Sequence, residues 1–144
     1  MARLDRLPKA AKTLALIASV IGREFDASLL GEAAGISGPD LDDALAALRR
    51  MQVVFASGIS PGTFVFRHAL IRDTAYQSLL SGARRRNHGA VARALEAHHA
   101  DIVAREPELV AYHYGAAGEP EAALPHWIHA SERALARSAT FEAV

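Results

Sequence analysis

Residues 53–66 contain two short runs that are typical of β-strands, within a sequence whose other periodic segments are helical. Val53–Ala56 and Thr63–Phe66 are rich in β-branched and aromatic side chains. The Gly and Pro residues of segment 57–62 between them favour a turn. The pattern therefore predicts one β-hairpin, and it limits the fold to a mainly helical one with a small β element.

Three short helices are predicted before this hairpin. The first runs from about Pro8 to Gly22, with its apolar face at helical spacing. Asp26 caps a second helix that Gly35 ends, and segment 37–40 opens a third. The residues expected to face inward from these helices are Leu14, Ile17, Ala18, Ile21, Leu29, Leu30, Ala33, Leu41, Ala44, Leu45 and Leu48. Three helices with tight turns followed by a hairpin is the order of a winged helix, so we expect a winged-helix domain over residues 1–80.

From His68 to its end the sequence is predicted to be helical again. A first apolar stripe is interrupted at Ser81-Gly82, and a long helix follows with Val91, Leu95, His98 and Ile102 on one face. Pro107 starts the next helix, and segment 115–120 holds a turn before a last helix that reaches about Arg137. We therefore expect residues 81–144 to form antiparallel helical hairpins.

The last two predicted helices resemble one tetratricopeptide repeat. Ala111 and Tyr114 stand at the positions of the first helix, with the alanine and aromatic positions of the second occupied by Ala123, Trp127 and Ala130. The departures are Pro107, where the pattern has a tryptophan, and Leu135, where it closes with a proline. The alternative is an ordinary amphipathic helical hairpin. Because one repeat cannot bury both of its faces, we expect the array to be truncated at the C-terminus.

The composition excludes several classes of function. The chain has 144 residues with 16 basic and 16 acidic side chains, whereas binding to nucleic-acid phosphates normally needs a basic excess. The absence of cysteine excludes disulfides, thiolate metal ligands and cysteine nucleophiles. No apolar run approaches the roughly 20 residues of a membrane span, and the first residues lack the apolar stretch of a signal peptide. We therefore expect a cytoplasmic protein with no membrane partner.

Motifs that carry chemistry are lacking. The sequence contains no Gly-x-x-x-x-Gly-Lys-Ser/Thr loop, no Gly-x-Ser-x-Gly and no His-Glu-x-x-His. His126 and His129 are three residues apart on a predicted helix, but no acidic ligand completes a metal pattern. We therefore predict no catalytic residue and no metal site, and hence that the chain is not an enzyme.

DNA is a possible partner of a winged helix. The third helix would then contact the DNA with its N-terminal part. That part carries Asp40, Asp42 and Asp43, which phosphates repel, while Arg49 and Arg50 lie at the other end. The basic cluster Arg84-Arg85-Arg86 lies beyond the wing, at a predicted helix start. We expect DNA not to be a partner, and a DNA-binding transcriptional regulator stays as an alternative.

Residues 66–80, with the sequence FRHALIRDTAYQSLL, resemble the region after the wing in bacterial ATPases of the STAND class. In that family an AAA-like ATPase is joined to a winged helix and a repeat array. Leu4–Pro8 and Ala18–Phe25 also look typical of it, so the resemblance covers the chain from Leu4 to about Arg137. It implies a segment of a larger signalling protein, similar to adenylate or guanylate cyclase homologues or to large transcriptional regulators. ATP or ADP would bind the parent protein, and this fragment would hold no cofactor.

The same resemblance implies a role for His68. In the NB-ARC relatives a Met-His-Asp motif ends the winged helix, and its histidine contacts the β-phosphate of ADP. His68 matches the histidine, while Phe66 or Arg67 replaces the methionine and Ala69 replaces the aspartate. His68, with Arg67, would therefore sense the phosphate of ADP held by a neighbouring ATPase domain of the same chain. The alternative is that His68 caps or packs at the start of a helix.

The resemblance thus implies a non-catalytic regulatory and interaction module. Such a module couples nucleotide state to the binding of a protein or small-molecule effector at the helical repeats. We expect neither ATPase nor cyclase activity from the isolated chain. A scaffold or dimerisation module of a cyclase-like protein is the second alternative.

Overall fold

The computed structural model describes residues 2–142 and is mainly helical, with one small antiparallel sheet. The elements in chain order are α1 (Ala2–Asp5), α2 (Lys9–Ile21), β1 (Glu24–Asp26), α3 (Ala27–Ala34), α4 (Gly38–Arg50), β2 (Val54–Ala56), β3 (Thr63–Phe66), α5 (Ala69–Ser78), α6 (Ser81–His98), α7 (Ala100–Arg105), α8 (Pro107–Ala116) and α9 (Pro120–Glu142). The mainly helical class and the hairpin between Met51 and Arg67 are confirmed.

Helices α2, α3 and α4 are the three that the sequence predicts, and their ends follow from local chemistry. Pro8 lies directly before α2, where its missing N–H costs no helical hydrogen bond. The Asp26 carboxylate accepts hydrogen bonds from the backbone N–H groups of Ser28 and Leu29, at 2.8 and 3.1 Å, and so caps α3 as expected. Gly35 ends this helix in the left-handed conformation, with φ 70°.

The sheet has three strands, one more than the sequence predicts. Strand β3 lies in the centre, with Val54 of β2 opposite Phe66 on one side and Phe25 of β1 opposite Phe64 on the other. Strand β1 has only three residues, which is too short for an alternating pattern to be visible. Phe25 is buried, and its ring lies 6.2 Å from that of Phe64 and 5.6 Å from that of Phe66. The sheet therefore packs a cluster of aromatic side chains against the helices.

The helices of the second half differ from the prediction at four points. The interruption expected at Ser81-Gly82 lies at Leu79–Leu80 instead, because Ser81 already begins α6. The predicted long helix is broken at His99, whose side chain lies 2.7 Å from Glu32 of α3, and Ile102 therefore belongs to the separate helix α7. His98, expected on the inward face, is exposed. The last helix continues past Arg137 to Glu142.

Buried apolar residues from both halves of the chain form one contiguous core. Leu14, Leu48 and Phe66 contribute to it from the first half, and Leu95 and Val110 from the second. Helix α6 packs against α2 and α3, α8 packs against α6, and α9 packs against α8. The expected domain boundary at residue 80 falls in the link between α5 and α6. Within residues 2–142, no helix combines the length and the apolar character needed to cross a bilayer.

Candidate anion-binding site

A shallow groove of about 470 Å³ lies between the end of α4 and strand β2. Its lining comes from α4, from β2 and from the residue that follows β3, and consists of Ala46, Arg49, Arg50, Val54, Phe55, Ala56 and Arg67. The turn from α4 into β2 brings these parts together, with Gln52 in the left-handed region at φ 57°. Three cationic side chains from two separate segments therefore line one groove.

All the charged side chains that line this groove are cationic. Arg49, Arg50 and Arg67 are exposed, the lining contains no carboxylate, and none of the three forms an ion pair within residues 2–142. The Arg67 guanidinium lies 5.8 Å from the ring centre of the half-exposed Phe55, a distance that suits a cation–π contact. Arg49 and Arg50 also complement the dipole at the C-terminus of α4. Guanidinium groups arranged in this way suit a phosphate or carboxylate ligand.

The sequence points to Arg67 and His68 together, but in the structure the two side chains have different surroundings. Arg67 lines the groove, whereas His68 follows it at the N-cap position of α5 and is not among the lining residues. The His68 side chain is exposed and makes no capping hydrogen bond, although its carbonyl accepts from the N–H of Ile71 at 3.0 Å. His68 therefore occupies the N-cap position through its backbone, and its side chain does not cap the helix.

The carboxylates of α4 lie towards its other end and do not line this groove, although Arg50 lines both this groove and the one that contains Asp40 and Asp43. Asp40, Asp42 and Asp43 are exposed in the first half of the helix. Asp40 and Asp43 contribute instead to a wider groove of about 700 Å³ between α2 and α4, whose lining otherwise consists mostly of small residues. A phosphate backbone approaching the N-terminal half of α4 would meet these carboxylates, which disfavours the docking mode of a DNA-reading helix.

The three side chains of the cluster Arg84-Arg85-Arg86 differ in their contacts. Arg84 donates to the backbone carbonyls of Tyr76 and Gln77, at 3.2 and 3.1 Å, and its guanidinium lies 4.8 Å from the Tyr76 ring centre. Arg85 and Arg86 are exposed. One of the three cations thus holds α5 against α6 and is not available to a ligand.

Two buried histidines form a polar contact that the sequence analysis did not anticipate. His88 of α6 and His113 of α8 are each 1% exposed, and their Nδ1 atoms are 2.9 Å apart. The Nε2 of His88 is 2.9 Å from the hydroxyl of Tyr76 on α5. These three side chains join α5, α6 and α8 at one buried seam.

The surroundings of both rings favour the neutral imidazole. Burial lowers the pKa of His88, and the neighbouring Arg72 and Arg84 lower it further. Burial, with His88 as a smaller cause, lowers the pKa of His113 to about 4. A signal for burial was present, because His88 continues the helical stripe of Val91 and Leu95. No local pattern links His88 to a partner 25 residues away.

No group of three or more metal-ligating side chains is arranged to hold an ion within residues 2–142. His126 lies 3.1 Å from Glu96 of α6, and the same carboxylate accepts from the hydroxyl of Tyr114. His126 is therefore engaged in a contact between α6, α8 and α9. His129, three residues further along α9, is half-buried.

The positions that suggested a tetratricopeptide repeat lie on the helical hairpin α8–α9, but not all of them are buried. Ala111, Tyr114 and Ala123 are buried, whereas Trp127 is 47% exposed. Tyr114 stacks on His126 with ring centres 6.0 Å apart, so the tyrosine position serves the packing of α8 on α9.

No protein-family model matches the chain, and no curated protein and no solved structure resembles it at a significant level.

Proposed function

We propose that this chain is a non-catalytic regulatory module of a signalling ATPase of the STAND class. A winged helix over residues 1–80 would contact the ATPase domain of the same polypeptide, and a tetratricopeptide-like region over residues 81–144 would bind a protein or small-molecule effector. ATP or ADP would belong to the parent protein. The succession of α2, α3 and α4 followed by the β2–β3 hairpin supports the first part, and the packed hairpin α8–α9 supports the second.

One observation carries the proposal: the cationic groove that Arg49, Arg50 and Arg67 line, with the exposed His68 directly after Arg67 in the chain. Charge-assisted hydrogen bonds from guanidinium groups to phosphate are stronger than neutral ones. The groove is open and shallow, so it would contact a phosphate presented by another domain rather than enclose a whole nucleotide. His68 is exposed outside the lining of the groove, and it would add a separate donor that strengthens when the imidazole is protonated.

Such a module acts as a switch. Nucleotide in the neighbouring domain would favour one docked arrangement of the winged helix, and loss of the phosphate contact would favour another. A difference of a few kcal/mol between the two arrangements is sufficient for this kind of control. Because α6 packs against both α3 and α8, a change in docking at the first half reaches the helical hairpin through a continuous core.

The groove can be tested on the isolated chain with pyrophosphate as the probe. We expect weak binding that decreases with added salt, because the site is exposed. The triple variant R49Q/R50Q/R67Q should bind at least about tenfold more weakly, since each charge-assisted hydrogen bond contributes about 1.5–3 kcal/mol before screening is taken into account. Arg86→Gln removes an exposed charge outside the groove and is the matched control. Equal affinities of the triple variant and the control, measured by calorimetry, would contradict the assignment.

His68 is tested in the parent protein. If His68 senses the phosphate, His68→Ala should change basal output severalfold, because one of the two docked arrangements loses a contact. The exposed His98→Ala should leave the output unchanged. An unchanged output in both variants, measured as the basal activity of the full-length protein, would remove His68 from the mechanism.

A scaffold is the second candidate function, and one observation favours it. Helix α9 carries an exposed apolar row whose members are Leu124, Trp127, Ile128 and Leu135. Exposed apolar rows of this kind mark interaction surfaces in many proteins. A pure scaffold would leave the parent protein insensitive to His68→Ala, which separates it from the switch. The DNA-binding alternative would instead show a steep salt dependence of duplex binding, which the balanced charge disfavours.

A further inference from the structure

The hydrogen bonds of the buried seam between α5, α6 and α8 depend on the number of protons that its two histidines carry. A neutral imidazole has one N–H donor and one acceptor nitrogen. The 2.9 Å contact between the two Nδ1 atoms is satisfied when one of them carries hydrogen and the other accepts it. The hydroxyl of Tyr76 can donate to the Nε2 of His88 or accept from it, so it matches either tautomer.

Protonation of one or both imidazole rings makes the closed seam less favourable. If both rings are protonated, two N–H groups face each other across the contact, and neither has an acceptor there. If only one ring is protonated, the hydrogen bond persists, but a cation remains at a position that is 1% exposed. Both protonated states are therefore less favourable inside the seam than in water.

Within residues 2–142, the charged groups that shift the pKa of His88 are both cations, and the carboxylate of Asp73 is paired with Arg72 at 3.3 Å. From α5 the facing groups are Tyr76 and Arg72, whose guanidinium lies 5.1 Å from the Tyr76 ring centre. Helix α6 contributes Arg84, and α8 contributes Tyr112, whose ring centre lies 5.7 Å from that of His88. Arg72 and Arg84 both act against a positive charge on His88.

We propose that the His88–His113 contact is a pH-sensitive switch that holds α8 against α5 and α6 while both rings are neutral and opens this seam on acidification. The contacts of Tyr114 and His126 with Glu96 lie on other side chains of α8 and α9. These contacts involve neither of the two buried histidines, so the opening is local to the seam. The switch does not depend on the phosphate-sensing role of Arg67 and His68.

The direction of the effect follows from proton linkage. A histidine released to solvent has an ordinary pKa near 6.5, whereas burial lowers the pKa of His113 in the closed seam to about 4. The stabilisation of the closed state is therefore complete above pH 6.5 and is lost as the pH falls from 6.5 towards 4. Between pH 7 and pH 5 the opening equilibrium should rise roughly twentyfold from His113 alone.

Hydrogen exchange at individual amides tests the switch on the intact chain. After correction for the intrinsic effect of pH, protection of the α8 amides should fall roughly twentyfold between pH 7 and pH 5, while α2 amides keep theirs. His113→Asn keeps a polar group near the position of Nδ1 but does not titrate, so only the contribution of His88 remains and its α8 protection should fall less between pH 7 and pH 5 than that of the unmodified chain. The exposed His98→Asn is the matched control and should behave like the unmodified chain.

Two results would overturn the proposal. One is the same acid-induced loss of α8 protection in His113→Asn as in the unmodified chain. The other needs no variant and covers the case in which His113→Asn does not fold. If NMR shows both buried rings of the unmodified chain titrating near pH 6.5 while the α8 amides stay protected, protonation does not open the seam.

Discussion

Phe66→Ala is expected to lower the free energy of unfolding by about 3–5 kcal/mol, the range measured for truncating a buried phenylalanine. Phe66 is 0% exposed and lies on the central strand of the sheet, next to Phe25 and opposite Val54. The variant loses apolar burial and leaves a cavity where sheet and helices meet. Because small proteins are stable by only about 5–15 kcal/mol, a large part of the total would be lost.

Urea denaturation followed by circular dichroism measures this loss, and Phe55→Ala supplies the control. Phe55 lies on the neighbouring strand β2 but is 41% exposed, so its truncation should cost less than about 1 kcal/mol. Similar midpoints for the two variants would show that the aromatic cluster of the sheet does not contribute to the core as described. The slope of the unfolding curve should stay unchanged if only stability is altered.

Gly31→Ala is expected to destabilise the chain by about 1–2 kcal/mol, although alanine is the better helix former. Gly31 lies inside α3, where an added Cβ would come within 2.7 Å of the Ile36 carbonyl oxygen and 2.9 Å of the Leu41 side chain. The carbonyl belongs to the backbone of the turn between α3 and α4 and cannot move aside independently. Overpacking of about 1–3 kcal/mol therefore exceeds the gain of up to about 1 kcal/mol in helix propensity.

Gly89→Ala is the matched control, because Gly89 also lies inside a helix. The three atoms nearest to its added Cβ, at 3.0 to 3.4 Å, all belong to the guanidinium of Arg93, the flexible end of an exposed side chain that can shift although it is paired with Glu119. The gain in helix propensity should then dominate and stabilise the chain by about 0.5–1 kcal/mol. Thermal denaturation of both variants should give melting temperatures on opposite sides of the unmodified chain. A Gly31→Ala variant as stable as Gly89→Ala would mean that α3 and α4 do not approach each other as closely as described.

Much of the first half of the fold could be predicted from the sequence, because its signals are local. The apolar periodicity of α2, the cap provided by Asp26 and the turn at segment 57–62 each involve neighbouring residues. Strand β1 could not be predicted, since its three residues are stabilised by pairing with β3 about 40 positions away. The contact of His99 at the break between α6 and α7 could not be predicted for a similar reason, because its partner Glu32 lies on α3.

Each candidate site likewise contains parts that the sequence predicts and parts that only the fold brings together. Arg67 and His68 could be named from a local motif, whereas the fold adds Arg49 and Arg50 to the groove through the turn at Gln52. The contact between His88 and His113 depends on the packing of α6 against α8. Spacing along the chain predicts which face of a helix is buried, but it does not predict which two buried polar groups meet.

The position of β3 in the middle of the sheet has a consequence for synthesis. During translation, residues 24–26 and 54–56 leave the ribosome before residues 63–66, the partner that both of them share. The sheet therefore cannot close until Phe66 has emerged. Until then the nascent chain keeps Phe25 without its final cover, and α2 and α3 stay partly uncovered until α6 has also emerged, so chaperones would have apolar surface to bind throughout this interval.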